Sequence, residues 1–271
     1  MTKVELLYQK LLKKEVVRYN EIEKIASKIL EKKSVSFHYV YNEYINKLRK
    51  ANKVLHPQRG IYVAVPPTKI NDDSFQPDKY LIASKIQKPY YLGYHTALEM
   101  YGCAYSTYNQ AYIVVPPNKK FRAFEFKHIR YQPIFHSDSH IGLKKMNYKN
   151  QKISVSSPSK TFLDCINRPT YAGGWEECLK SLESLTGVNE TDLTQLLNTL
   201  GKDMLFRKTG LILNLLDDNP YYHGLLSTLK KYLKEKMGNS PMYLMPGVKS
   251  KLDKEWNLYV PIGFTDFMRG I

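Results

Sequence analysis

Apolar residues recur at helical spacing from the start of the chain. Val4, Leu7, Tyr8 and Leu11, with Leu6 and Leu12 beside them, predict a first helix. The β-branched pair Val16-Val17 breaks that pattern and leads into a second helix. Asn20 is a suitable N-cap, Glu21 and Glu23 suit the positive end of the helix dipole, and Ile22, Ile25, Ala26 and Ile29 form the buried stripe. A third helix begins near Ser34 or Ser36. Its Phe37, Tyr41, Tyr44, Leu48 and Ala51, at steps of four and three, predict the face turned to the core. Tyr39, Asn42, Asn46, Arg49, Lys50 and Lys53 then fall on the opposite face. Two β-prone runs, Val54-Leu55 and Ile61-Tyr62-Val63, flank Pro57-Gln58-Arg59-Gly60 and read as a hairpin. Three helices followed by a hairpin is the order of a winged helix-turn-helix, placed at residues 1–66.

Pro66-Pro67 and the polar stretch to Pro77 read as a linker over 67–79. A second domain, 80–271, opens with helices ending at Ile86 and Tyr101. Strands follow at Ala111–Val115, Phe121–Pro133 and Lys152–Ser156. Helices are then expected from Pro158 to Ile166 and near 174–186, 189–199, 203–217 and 223–237. A closing strand contains Trp256-Asn257-Leu258-Tyr259-Val260. The expected class is therefore α+β: a winged helix-turn-helix, then a larger mixed domain with a small antiparallel sheet and a helical C-terminal half.

Charge narrows the choice of partner. The 271 residues carry a formal +16, and residues 1–65 hold +8 of it. Such an excess attracts DNA, RNA, an anionic membrane surface or an acidic protein, and equally serves as a solvated basic surface. No unbroken apolar stretch opens the chain as a signal peptide would, and no run is long enough to span a membrane. A cytoplasmic protein is expected. Cys103, Cys165 and Cys178 form no CxxC pair, so reduced thiols are expected rather than a zinc site.

A recognition helix lies in the major groove and needs outward side chains that reach bases and phosphates. Asn42 and Asn46, one turn apart, suit adenine edges, and Tyr39 suits a phosphate or a thymine methyl. Arg49, Lys50 and Lys53 suit phosphates, and Arg59 at the hairpin tip suits a minor groove. A solvated polar helix face gives the same residues a purely structural reading. Catalytic patterns are sparse: no phosphate-binding glycine loop, H-E-x-x-H or G-x-S-x-G occurs. His136 and His140 fall in a loop without a carboxylate motif. Glu125-Phe126-Lys127, on an expected strand, is half of a nuclease metal site if Asp72, Asp73 or Asp78 completes it around Mg²⁺. Any strand places residues i and i+2 on one face, so an ordinary solvent-facing pair fits equally well.

Three stretches resemble one family. The first is Tyr91-Leu92-Gly93-Tyr94-His95-Thr96-Ala97-Leu98-Glu99-Met100-Tyr101-Gly102. The second is Val155-Ser156-Ser157-Pro158-Ser159-Lys160-Thr161-Phe162-Leu163-Asp164-Cys165, followed by Pro169 and Gly173-Gly174. The third is Arg207-Lys208-Thr209-Gly210-Leu211-Ile212-Leu213. Together they are similar to the AbiEi-type antitoxins of type IV toxin–antitoxin systems, described as transcriptional regulators of a viral defence system. Lys160 stands where that family commonly has Arg or Glu-Arg. The resemblance implies a protein that represses its own operon by binding promoter inverted repeats. It also implies that the protein counteracts a nucleotidyltransferase toxin, with direct contact left open. It implies no cofactor and no enzymatic activity. The alternatives are a metal-dependent nuclease with a DNA-binding winged helix, and a protein-interaction module without specific DNA binding. The same residues also have structural readings: Ser157 or Ser159 as a helix cap, Asp164 as a local hydrogen-bond partner, and Gly173-Gly174 as a turn.

Overall fold

The structure, a computed structural model, describes residues 1–266; the last five residues of the domain expected over 80–271 lie outside them. The chain is a mixed α+β protein with small antiparallel sheets and many helices. It divides into two compact units. One comprises residues 1–90, 109–135 and 145–154. The other comprises 91–108, 136–144 and 155 onward.

The first unit starts with α1 (Lys3–Leu12), β1 (Val16–Arg18) and α2 (Tyr19–Ile29). Val16-Val17 is thus a strand, and α2 begins one residue before Asn20. Its first turn is closed by Glu21, whose carboxylate accepts the Arg18 N–H at 2.9 Å. Next come α3 (Phe37–Val40), a π-helical turn (Tyr41–Ile45) and α4 (Asn46–Lys50), continuous over 37–50. Ser36 caps this run by accepting the Tyr39 N–H. β2 (Val54–Gln58) and β3 (Ile61–Ala64) form the hairpin, and β1 adds antiparallel to β3, giving the order β1-β3-β2. Leu7, Tyr8, Leu11, Ile22, Val40, Ile45, Leu48 and Val54 are among the residues that close the core between helices and sheet.

The 37–50 helix corrects the expected stripe. Its fully buried residues are Val40, Ile45 and Leu48; Phe37, Tyr41 and Tyr44 are half-buried, and Ala51 is exposed. Val40 and Ile45 are five residues apart, a spacing that would separate them on an α-helix. The Asn46 N–H bonds the Tyr41 carbonyl, five residues back, and this wider turn brings both side chains inward.

The rest of this unit contains a 3₁₀ turn (Pro67–Lys69) and α5 (Lys79–Ile86). β5 (Gln110–Val115) runs parallel to β7 (Ile129–Phe135), and β6 (Phe124–Phe126) runs antiparallel to β7. The single strand expected over 121–133 is therefore two, split at Lys127-His128. Both of these have positive φ (50° and 63°), as a type I′ hairpin turn requires. β8 (Leu143–Tyr148), not foreseen in the sequence, precedes its sheet neighbour β9 (Gln151–Ser156). Lys149, in the turn between them, pairs with Glu15 at 2.7 Å and Asp78 at 3.0 Å. The Gln151 amide donates to the Lys14 carbonyl at 2.6 Å.

In the second unit β4 (Tyr91–Leu92) pairs parallel with β9 at Leu92↔Val155. α6 (His95–Tyr101), α7 (Pro158–Asn167), α8 (Trp175–Leu182), α9 (Glu190–Leu200), α10 (Asp203–Leu215) and α11 (Leu225–Lys236) surround one large apolar core. A small sheet, β10 (Met242–Tyr243), β12 (Leu258–Pro261) and β11 (Ser250–Asp253), completes it. Ser157, not Ser159, caps α7 by accepting the Lys160 N–H; Ser159 accepts the Asn189 N–H. Gly173 and Gly174 have φ of 87° and 93°, a region costly for residues with a Cβ. All three cysteines are free and buried.

Candidate nucleic-acid interface

The outward residues of the 37–50 helix are not equally available. Tyr39 is exposed, its ring edge-on to Tyr44 and under the Lys32 ammonium. Asn42 is exposed, and its amide nitrogen lies 3.0 Å from His38 Nε2, one turn back. Asn46 is half-buried and Lys50 is exposed. Arg49 is half-buried and donates to the Tyr41 hydroxyl at 2.6 Å, which fixes one arm of the guanidinium. Lys53 does not share this face. Asn52, with φ of 53°, turns the chain, and the Lys53 ammonium pairs with Glu5 at 3.0 Å over the ring of Tyr8.

Arg59 is exposed in the two-residue turn of the β2–β3 hairpin, before Gly60 with φ of 80°. The hairpin tip and the start of the 37–50 helix border one concavity of about 620 Å³. His38, the partner of Asn42, lines it together with Arg59, so the helix face and the hairpin tip meet there. His56 also lines it, stacked on Tyr62 at 4.8 Å. Burial, with Arg49 nearby, lowers the His56 pKa from the ordinary histidine value. This concavity is not legible as such in the sequence because its rings come from α2, α3, the π turn and both hairpin strands. The spaced aromatic residues Tyr19, Phe37 and Tyr41 were its visible signal.

The E-x-K pattern loses its geometry. Glu125 lies on β6 opposite Arg130, whereas Lys127 sits in the turn and donates to the Asp73 carbonyl at 3.0 Å. Asp78 caps α5 by accepting the Tyr80 and Leu81 N–H groups, and pairs with Lys149. Asp72 is held by Ser74 and Lys69. Among the described residues no group of three or more His, Cys, Asp or Glu side chains is placed to hold a metal ion.

The three family-like stretches lie largely in the second unit. Lys160 is buried and pairs with Asp164 at 3.0 Å, and Tyr91 donates to the other Asp164 oxygen at 3.1 Å. His95 is buried, stacked on Tyr108, with Nε2 3.1 Å from Glu177. Arg207 is enclosed and bound by Asp203 and by the carbonyls of Gly238 and Asn257. Arg207 thus ties two backbone carbonyls to α10, whereas Lys160, Asp164 and Tyr91, and likewise His95 and Glu177, join side chains inside the unit.

No family model matches this chain, and no curated protein is significantly similar to it. Among solved structures, the fold is similar to that of the RV2827C protein from Mycobacterium tuberculosis. The TM-score is 0.65 at 14% identity, covering 98% of this chain and 92% of that one. At that identity the likeness concerns the fold alone. No helix among the described residues is long and apolar enough to cross a membrane.

Proposed function

We propose that residues 1–66 form a winged helix-turn-helix and that the chain is a DNA-binding autorepressor and antitoxin of a type IV toxin–antitoxin operon. The order helix, strand, helix, helix, hairpin, with β1 against β3, supports the first part. The observation that carries the reading is the meeting of two exposed polar features at one concavity: His38, hydrogen-bonded to Asn42 on the 37–50 helix, and the Arg59 guanidinium at the hairpin tip. Helix and hairpin of this kind grip adjacent grooves of a duplex, with Asn42 and Asn46 toward bases and Arg49, Lys50 and Arg59 toward phosphates or the minor groove. The antitoxin half rests on the resemblance of the three stretches to AbiEi-type antitoxins, and requires no cofactor and no catalytic step.

The test is a gel shift of the purified full chain on the DNA upstream of its own gene, against scrambled competitor at near-physiological salt. A selective shift weakened by Arg59→Ala is expected; equal binding to both sequences overturns the repressor reading. For the antitoxin half, an adjacent nucleotidyltransferase gene expressed alone should arrest growth, and co-expression of this chain should relieve the arrest. Unrelieved arrest overturns that half.

A further inference from the structure

The concavity beside Arg59 is more than a basic rim. Tyr19, Phe37, Tyr41, Tyr62 and His56 form a connected series of rings around it. Phe37 lies 5.7 Å from Tyr19, 6.0 Å from Tyr41 and 5.6 Å from Tyr62, and Tyr62 stacks on His56. Rings packed only as core would leave few voids and little exposed face. Here the space between them measures about 620 Å³, and Tyr19 remains 43% exposed. Tyr19 is nevertheless held in place: a Cβ on Gly60 would come within 3.2 Å of its ring, so the hairpin turn lies against it. A ring that is fixed and exposed is a preformed stacking face. No acidic residue lines the space, and Arg59 does. Burial, with Arg49 nearby, lowers the pKa of His56 and so favours its neutral ring on this lining.

Aromatic faces beside a cation suit a planar heteroaromatic ring that carries a phosphate. We propose that this concavity receives one nucleobase turned out of the bound DNA strand, stacked on the exposed face of Tyr19, to which Phe37 packs edge-on, with its phosphate on Arg59. The proposal rests on the DNA-binding reading above, which places a strand along the helix and hairpin that border the space. Turning a base out costs stacking and pairing energy, and costs least where the base is already mispaired.

The experiment is a set of duplexes carrying the DNA upstream of the gene, each with one mispaired position, titrated with the full chain. One position per site should bind at least about fivefold tighter than the fully paired duplex. Tyr19→Ala should abolish that gain and Tyr19→Phe should keep it, because only the ring face is needed; circular dichroism confirms that both variants are folded. If paired duplex binds but no mispaired position tightens, the base-capture proposal is overturned and the DNA reading stands. A gain that survives Tyr19→Ala also overturns it, since duplex flexibility then explains the effect. If no duplex binds, both fall together.

Discussion

The Lys85 ammonium lies 2.9 Å from both carboxylate oxygens of Glu21, 64 residues earlier in the chain. Lys85 is only 7% exposed. Glu21 closes the first turn of α2 through the Arg18 N–H, so one carboxylate orders a helix end and pairs with α5. Lys85→Met removes the ammonium and leaves a half-buried carboxylate with less compensation. A loss of about 1–3 kcal/mol is expected, below the cost of breaking a fully buried pair because Glu21 keeps some solvent contact. The urea midpoint of Lys85→Met against the parent protein measures it; an unchanged midpoint would mean that the pair contributes nothing.

The same pair sets a pH dependence. Burial opposes ionisation of Glu21, but the Arg18 N–H and the Lys85 ammonium outweigh it, and the folded pKa falls below the ordinary glutamate value. The unfolded chain then binds the proton first. This contribution is complete above the unfolded glutamate pKa, about 4.3, and is lost as pH falls through the folded value. Urea midpoints taken from pH 7 down to pH 3 should decline less steeply for Glu21→Gln than for the parent. Parallel curves would contradict the assignment.

The π turn makes a mutational contrast. Ile45 is fully buried, whereas Ala51, on the stripe expected from α-helical spacing, is exposed. Ile45→Ala should cost about 2–5 kcal/mol, and Ala51→Ser less than about 0.5 kcal/mol. Thermal denaturation of the two variants tests the register directly.

Basic residues near the helix should differ in their effect on DNA affinity. Each phosphate contact removed lowers the slope of log affinity against log salt by about one. Lys50→Ala and Arg59→Ala should each show that change. Lys53→Ala should leave the slope unaltered, because its ammonium is occupied by Glu5. An equal loss for Lys53→Ala would mean that this pair opens on binding.

Gly210 on α10 faces the indole of Trp256, and a Cβ there would come within 2.2 Å of the ring. Gly210→Ala should destabilise the second unit by at least about 1–3 kcal/mol through overpacking. The loss should appear as a lower melting temperature followed by tryptophan fluorescence.

Much of the local structure was legible in residue order. Helices α5 to α11 lie close to the ranges expected from the sequence, and the β2–β3 hairpin was expected from β-prone runs around Pro57–Gly60, with the turn itself narrowing to Arg59-Gly60. The exposure of Tyr39, Asn42, Lys50 and Arg59 was also legible, since exposure on a helix face or at a hairpin tip is a local property. The misreadings involved residues whose role depends on distant partners. Lys53 resembles a surface cation until Glu5 and Tyr8 are beside it. Glu125 and Lys127 resemble a strand pair until two positive φ angles separate them.

The sequence by itself determined the approximate placement of most helices, the hairpin and the +8 carried by residues 1–65, because each depends on neighbours a few positions apart. Only the tertiary structure decided the five-residue step from Val40 to Ile45, the burial of Lys85 against Glu21, and the aromatic concavity beside Arg59. A π turn forms where core packing outweighs the α-helical period, the Lys85 ammonium is buried where the Glu21 carboxylate meets it, and a pocket exists only where separate elements converge.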